Sequence, residues 1–155
     1  MLARLLTPCL LVLLGTVPGF GGDNSLGTWK LNVEKSEYTP SPLPVKSLTS
    51  TREASDGGVK VTSTGERADG TPIKSNYTAK YDGKDYPVTG APWDTIAIKQ
   101  VDDNNFITTT KQANGKYHAT GRTVISKDGK TMTTTAKGTN AEGTAFSSKF
   151  VWEKQ

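Results

Sequence analysis

Cysteine is nearly absent from this chain: Cys9 is the only one, and His118 is the only histidine. Cys9 lies inside an apolar N-terminal run, so removal of that run leaves no disulfide and no thiol ligand. The remaining fold must then hold by core packing and sheet hydrogen bonds. One histidine without cysteine does not make a zinc site. No apolar stretch is long enough to span a bilayer, since Leu5 to Leu14 is broken by Thr7 and Pro8. No amphipathic helix of useful length can be traced. Charge of one sign is not clustered either. The formal net charge is +4, and Lys60, Lys74, Lys80, Lys99, Lys111, Lys137 and Lys149 are scattered. A nucleic-acid site would gather arginines among aromatics, so nucleic acid is not expected as a partner.

What is present begins with a leader. Arg4 forms a positive start, Leu5 to Leu14 an apolar middle, and Gly15 to Gly22 a stretch rich in small residues. This pattern predicts a secretory signal over residues 1–22, cleaved after Gly19 or Gly22, with a retained anchor as the alternative. Cys9 sits too early, after Leu6-Thr7-Pro8, for lipid attachment. Losing Arg4 takes the charge from +4 to +3. Residues 23–155, about 130 residues, suit one domain with a real core. The expected location is secreted or periplasmic, with no stable membrane insertion after cleavage.

Seven turn signals then divide the chain. They are Asp56-Gly57-Gly58, Asp69-Gly70, Asp82-Gly83, Asp102-Asp103-Asn104-Asn105, Asn114-Gly115, Asp128-Gly129 and Asn140-Ala141-Glu142-Gly143. Such dipeptides supply the positive φ of tight hairpins. The segments between them alternate. In Ile73 to Tyr81, for instance, Ile73, Ser75, Tyr77, Ala79 and Tyr81 share one face. Trp29, Leu31 and Val33 share a face in the first strand, after a Gly-rich lead over residues 20–26 read as flexible. Residues 82–94 break the rhythm and read as a stiff irregular loop. The sequence predicts an all-β, single antiparallel up-and-down barrel of eight to ten strands, because closure removes the exposed edges of a long meander.

The inward faces mix aromatics with small polar residues such as Ser63, Ser75, Thr134 and Ser148. A core filled for stability would favour Val, Ile and Leu. Two readings stay open: room for a ligand, or a chain simply rich in Ser and Thr. Strand parity nominates Tyr77, Tyr81, Tyr117, Phe146 and Phe150 as the lining of an interior site, with Trp93 at its rim. His118 shares a face with Thr120 and Arg122, opposite Tyr117, so it should point to solvent. Asp102-Asp103-Asn104-Asn105 lacks the spacing and terminal Glu of a calcium loop. Glu34 with Glu37, and Asp82 with Asp85, belong to polar connections. No catalytic residue, metal or cofactor is expected.

Gly27-x-Trp29, opening the first strand, resembles the start of lipocalins and their calycin relatives. That resemblance implies a Trp29 plug at one end of the barrel under a cation, with Arg122, Lys149 or Lys154 as candidates and Arg122 the one assigned. The Thr-Asp-Tyr signature of that family is missing, with Ser126-Lys127-Asp128-Gly129-Lys130 in its place, and so are the family's cysteines. The chain is also similar to a group of small secreted bacterial proteins without established activity. The shared stretches are Gly27 to Asn32, Tyr81 to Gly90 and Ser126 to Thr131. The leading expectation is non-catalytic binding of a small, partly apolar molecule in the barrel. The alternatives are a filled structural or interaction module, and a barrel isomerase.

Overall fold

The computed structural model describes residues 22–155. The expected leader lies outside the described residues, except for Gly22.

The strands are β1 (Gly27–Thr39), β2 (Val45–Ser55), β3 (Gly58–Arg67), β4 (Pro72–Lys80), β5 (Asp82–Thr89), β6 (Thr95–Asp102), β7 (Asn105–Lys111), β8 (His118–Ile125), β9 (Thr131–Thr139) and β10 (Ala145–Lys154). Each pairs antiparallel with its neighbour in sequence, and β1 pairs with β10, closing a ten-stranded up-and-down barrel. No sheet edge is left open, as a meander of this length requires. Gly57, Gly70, Gly83, Gly129 and Gly143, all in the turn signals, have positive φ. No helix among the described residues is long and apolar enough to cross a membrane.

One end, here the lower, carries the β2–β3, β4–β5, β6–β7 and β8–β9 turns. The upper end carries the other five connections. Core packing concentrates low in the barrel. One cluster joins Val59, Val61, Ala79, Ile96, Ile98 and Phe106. The other joins Trp29, Leu31, Ile125, Met132 and Trp152.

Three local expectations are corrected. Residues 82–89 form a strand, because Tyr86 and Val88 alternate inward despite Pro87. The Val88 amide donates to Asp94 O on the β6 side, so the missing N–H of Pro87 falls on the β4 side. There the ladder consists only of Asn76↔Thr89 and Tyr77↔Val88, and the proline interrupts nothing. Val33 does not share the burial of Trp29 and Leu31; it is 37% exposed. The β1–β10 register shifts between Asn32 and Glu37, and Ser36 Oγ bridges the bulge by donating to Asn32 O and accepting from the Val151 amide. This extra length reverses parity and turns Tyr38 inward. Finally, residues 22–26 are not a loose lead. The Asn24 amide donates to Asp103 O and Gln100 Nε2 to Gly22 O, holding the segment across the lower end.

Candidate functional site: the barrel interior

Trp29 is fully buried at the lower end. Its Nε1 donates to Ser25 O at 2.8 Å, so the indole carries no unpaired donor into the core. Lys154 Nζ lies 5.0 Å from the Trp29 ring centroid and donates to Leu26 O at 2.7 Å. The cation over Trp29 is therefore Lys154, and the assignment of Arg122 is corrected. Arg122 projects from the outer face of β8 and donates to Asn105 Oδ1, because it alternates with the inward Thr123. Gly27 is what lets Lys154 pass. It has φ +116°, and a Cβ there would meet Lys154 Cε at 2.8 Å.

Asp23, Ser25, Tyr81 and Arg52 complete this end. Asp23 accepts from the Ser25 amide and hydroxyl and from the Tyr81 hydroxyl. Ser25 Oγ in turn accepts from Arg52 Nε at 3.2 Å. Burial first, and then the Asp23 carboxylate, push the Tyr81 phenol well above the usual tyrosine range. Tyr81 thus faces inward as expected, but belongs to the floor. It packs on Phe106 at 5.2 Å and does not line the space above, which corrects its nomination as a ligand contact.

Above this floor lies a cavity of about 480 Å³. The nominated Tyr77, Trp93, Tyr117, Phe146 and Phe150 all line it. Its walls differ. On β2, β3 and β4 the register aligns Ser50, Ser63 and Ser75 in one row, with Ser63 Oγ donating to Ser50 Oγ at 3.1 Å. Across β7 to β10 a second row, Thr108, Gly121, Ala136 and Ser148, keeps side chains short at mid-height. A Cβ on Gly121 would meet Thr135 O at 2.7 Å, so this position admits nothing larger.

Aromatics gather at the upper end. Tyr38 stacks on Phe146 at 5.6 Å, Phe146 meets Tyr117 at 5.8 Å, and Tyr117 meets Trp93 at 5.2 Å. The four rings form a continuous chain along part of the mouth. Asp94 fixes Trp93 in place: its amide donates to Lys111 O, and its carboxylate accepts from the Ala113 amide at 2.8 Å. Burial raises the Tyr117 phenol above its usual range.

Sequence reasoning missed Tyr38, hidden by the bulge, and Arg52. Alternation of Leu48, Ser50 and Arg52 along β2 carries the signal for Arg52, but a charged residue argues against reading that face as interior. His118 is exposed on the outer face. No group of His, Cys, Asp and Glu among the described residues could hold a metal ion.

No family model matches the sequence, and no curated protein does. Solved structures match in fold. An S-type phycobiliprotein lyase from Guillardia theta aligns with 85% of this chain and 89% of its own, at 10% identity and a TM-score of 0.55. A protein of unknown function of the DUF3598 family from Nostoc punctiforme aligns with 85% of this chain, at 16% identity and a TM-score of 0.54. The aligned part is 47% of that longer chain. Zebrafish ileal bile acid-binding protein, complexed with cholic acid, aligns with 86% of this chain and 100% of its own, at 11% identity and a TM-score of 0.48. The chain is a closed up-and-down barrel of lipocalin-like fold.

Proposed function

We propose that this protein holds one small, partly apolar molecule inside its barrel, outside the cytoplasm, and carries out no chemistry on it. The observation behind this reading is the cavity of about 480 Å³, lined by aromatics and by rows of hydroxyls. Protein interiors are close-packed, and unfilled volume weakens a fold. A barrel serving only as a scaffold would fill that space with Leu, Ile and Val. The volume falls in the range of small-molecule sites. Aromatics supply contact area, and Ser and Thr orient polar groups.

An isomerase reading needs a base inside. Tyr117 faces the cavity, but burial favours its protonated phenol over the phenolate a base would need, and His118 is on the outer face. Placement outside the cytoplasm rests on the leader-like sequence of residues 1–22.

The test is native mass spectrometry on protein purified from its own host. A discrete added mass is expected, lost on denaturation and reduced in Tyr77→Ala or Phe150→Ala. A clean apo mass, together with no quenching of Trp fluorescence by a panel of apolar probes, would overturn the reading.

A further inference from the structure

We infer that the molecule bound in the cavity carries one acidic group, a carboxylate, and enters head first to meet Arg52. The inference rests on the binding reading above and names the ligand class for that same site.

Arg52 pairs in register with Val61 on β3, which is 3% exposed and faces the core. Cross-strand partners share a face, so Arg52 points into the barrel. It lines the cavity and is half-buried. Its partners are few. Nε donates to Ser25 Oγ at 3.2 Å, which ties the guanidinium to the floor. Among the described residues, neither Nη atom has a hydrogen-bond partner, and Arg52 forms no ion pair. Asp23 lies beyond Ser25 and is already occupied by Ser25 and Tyr81.

The rest of the lining supplies no competing anion below the mouth. Glu142, in the upper β9–β10 turn, is the only carboxylate among the lining residues described. Arg67 also belongs to the upper end, where its Nη1 is bound to Pro72 O. Arg122, also among the lining residues, is exposed on the outer face of β8, where its Nη2 is bound to Asn105 Oδ1. Among the described lining residues Arg52 is thus the one deep cation, held by a single anchor through Nε, with neither Nη bonded. A planar fork of this kind matches a carboxylate bidentately. Ser50, one step higher on the same face of β2, accepts from Ser63 and keeps its own proton to donate. The occupant has a small acidic head at Arg52 and an apolar body that rises past Tyr77 and Phe150 to the aromatic mouth.

The probes are decanoate, decan-1-ol and decylammonium, below their micelle concentrations. Binding is read from tryptophan emission, since Trp93 and Trp152 line the cavity, and from native mass spectra. Decanoate is expected to bind roughly ten- to a hundred-fold tighter than the alcohol, as a charged hydrogen-bond pair would give. Decylammonium should bind most weakly. In Arg52→Met the preference for the acid over the alcohol should disappear. The comparison in the unmodified protein decides the matter even if Arg52→Met loosens the floor. Equal binding of acid and alcohol would overturn the inference and leave the cavity reading standing. If none of the three binds, the inference falls, while the host-purified mass measurement still decides the binding reading separately.

Discussion

At the lower end of the barrel Trp29 is sealed from solvent, its indole N–H is bonded to Ser25 O, and Lys154 lies over its ring. At the upper end Trp93 packs against Tyr117, and its indole N–H is buried with no partner among the described residues. The same residue type thus occupies both ends in opposite conditions. Below, a linked set of hydrogen bonds runs from Tyr81 through Asp23 and Ser25 to Arg52, and core side chains fill the space. Above, connections and rings surround a cavity. An unpaired buried donor costs free energy, and aromatic pairs add only about 0.5–1.5 kcal/mol each beyond their area burial. The upper end can therefore rearrange at low cost, and the lower end cannot. Stability is concentrated at one end, and the mouth through which the interior is reached lies at the other.

The sharpest way to break this comparison is to truncate each tryptophan. Trp29→Ala is expected to cost about 3–5 kcal/mol, the range for deleting a large buried aromatic. Trp93→Ala should cost no more than about half of that, since Trp93 is only partly buried. Urea unfolding midpoints of the two variants decide it. Equal losses would remove the distinction between the ends. A smaller effect should follow from Gly27→Ala. Its φ of +116° disfavours any side chain, and the new methyl would displace Lys154 from Trp29. A loss of about 1–3 kcal/mol is expected from backbone strain of this kind. Much of it should persist in a Lys154→Ala background, because the strain belongs to the backbone. If the loss vanished there, the clash alone would be responsible.

The regular strands were more legible in the sequence than the closure of the lower end, and the reasons are physical. Asp-Gly and Asn-Gly pairs report backbone conformation directly, so hairpins and the barrel could be read from them. Strand parity then placed Tyr77, Tyr117, Phe146 and Phe150 inside, since the period of two survives wherever a strand is regular. It failed where a strand is irregular. The bulge after Asn32 exposed Val33 and brought Tyr38 inward, and no residue type announces such an insertion. Parity also says nothing about height along the barrel, so Tyr81 read as lining although it lies in the floor. The cation over Trp29 depends on which strand end returns to β1. Lys154 sits there because β10 closes the barrel in the register Trp29↔Lys154, a long-range fact that local spacing does not contain.

The tyrosines at the two ends offer a comparison by pH. Tyr81 is half-buried and faces the Asp23 carboxylate, so its phenol is raised by both. Tyr117 is raised mainly by burial. An unfolded tyrosine titrates near pH 10. A folded tyrosine with a raised pKa keeps its proton longer, so its contribution is complete below about pH 10 and is lost as pH climbs toward the folded value. Stability should fall with pH above about 10. Tyr81→Phe should flatten that decline more than Tyr117→Phe, at a cost near neutral pH of about 1.5–3 kcal/mol for the lost hydrogen bond to the Asp23 carboxylate. Urea midpoints measured from about pH 9 to 11 test this. An equal flattening by both variants would show that Asp23 adds nothing to burial.

The smallest effect is expected from Trp93→Phe, and its sign is the informative part. The substitution keeps an aromatic ring against Tyr117 and removes the one buried side-chain donor that lacks a partner among the described residues. Losing ring area destabilises, while losing an unsatisfied N–H stabilises, each by about 1 kcal/mol. The two should nearly cancel, leaving the melting temperature unchanged or slightly raised. The corresponding Trp29→Phe gives up a satisfied hydrogen bond to Ser25 O and the best surface for Lys154, so there both contributions have the same sign and the melting temperature should fall. A marked drop in Trp93→Phe would mean that its N–H has a partner in solution. The mouth would then be as firmly satisfied as the floor, and the low cost of rearranging it would have to be given up.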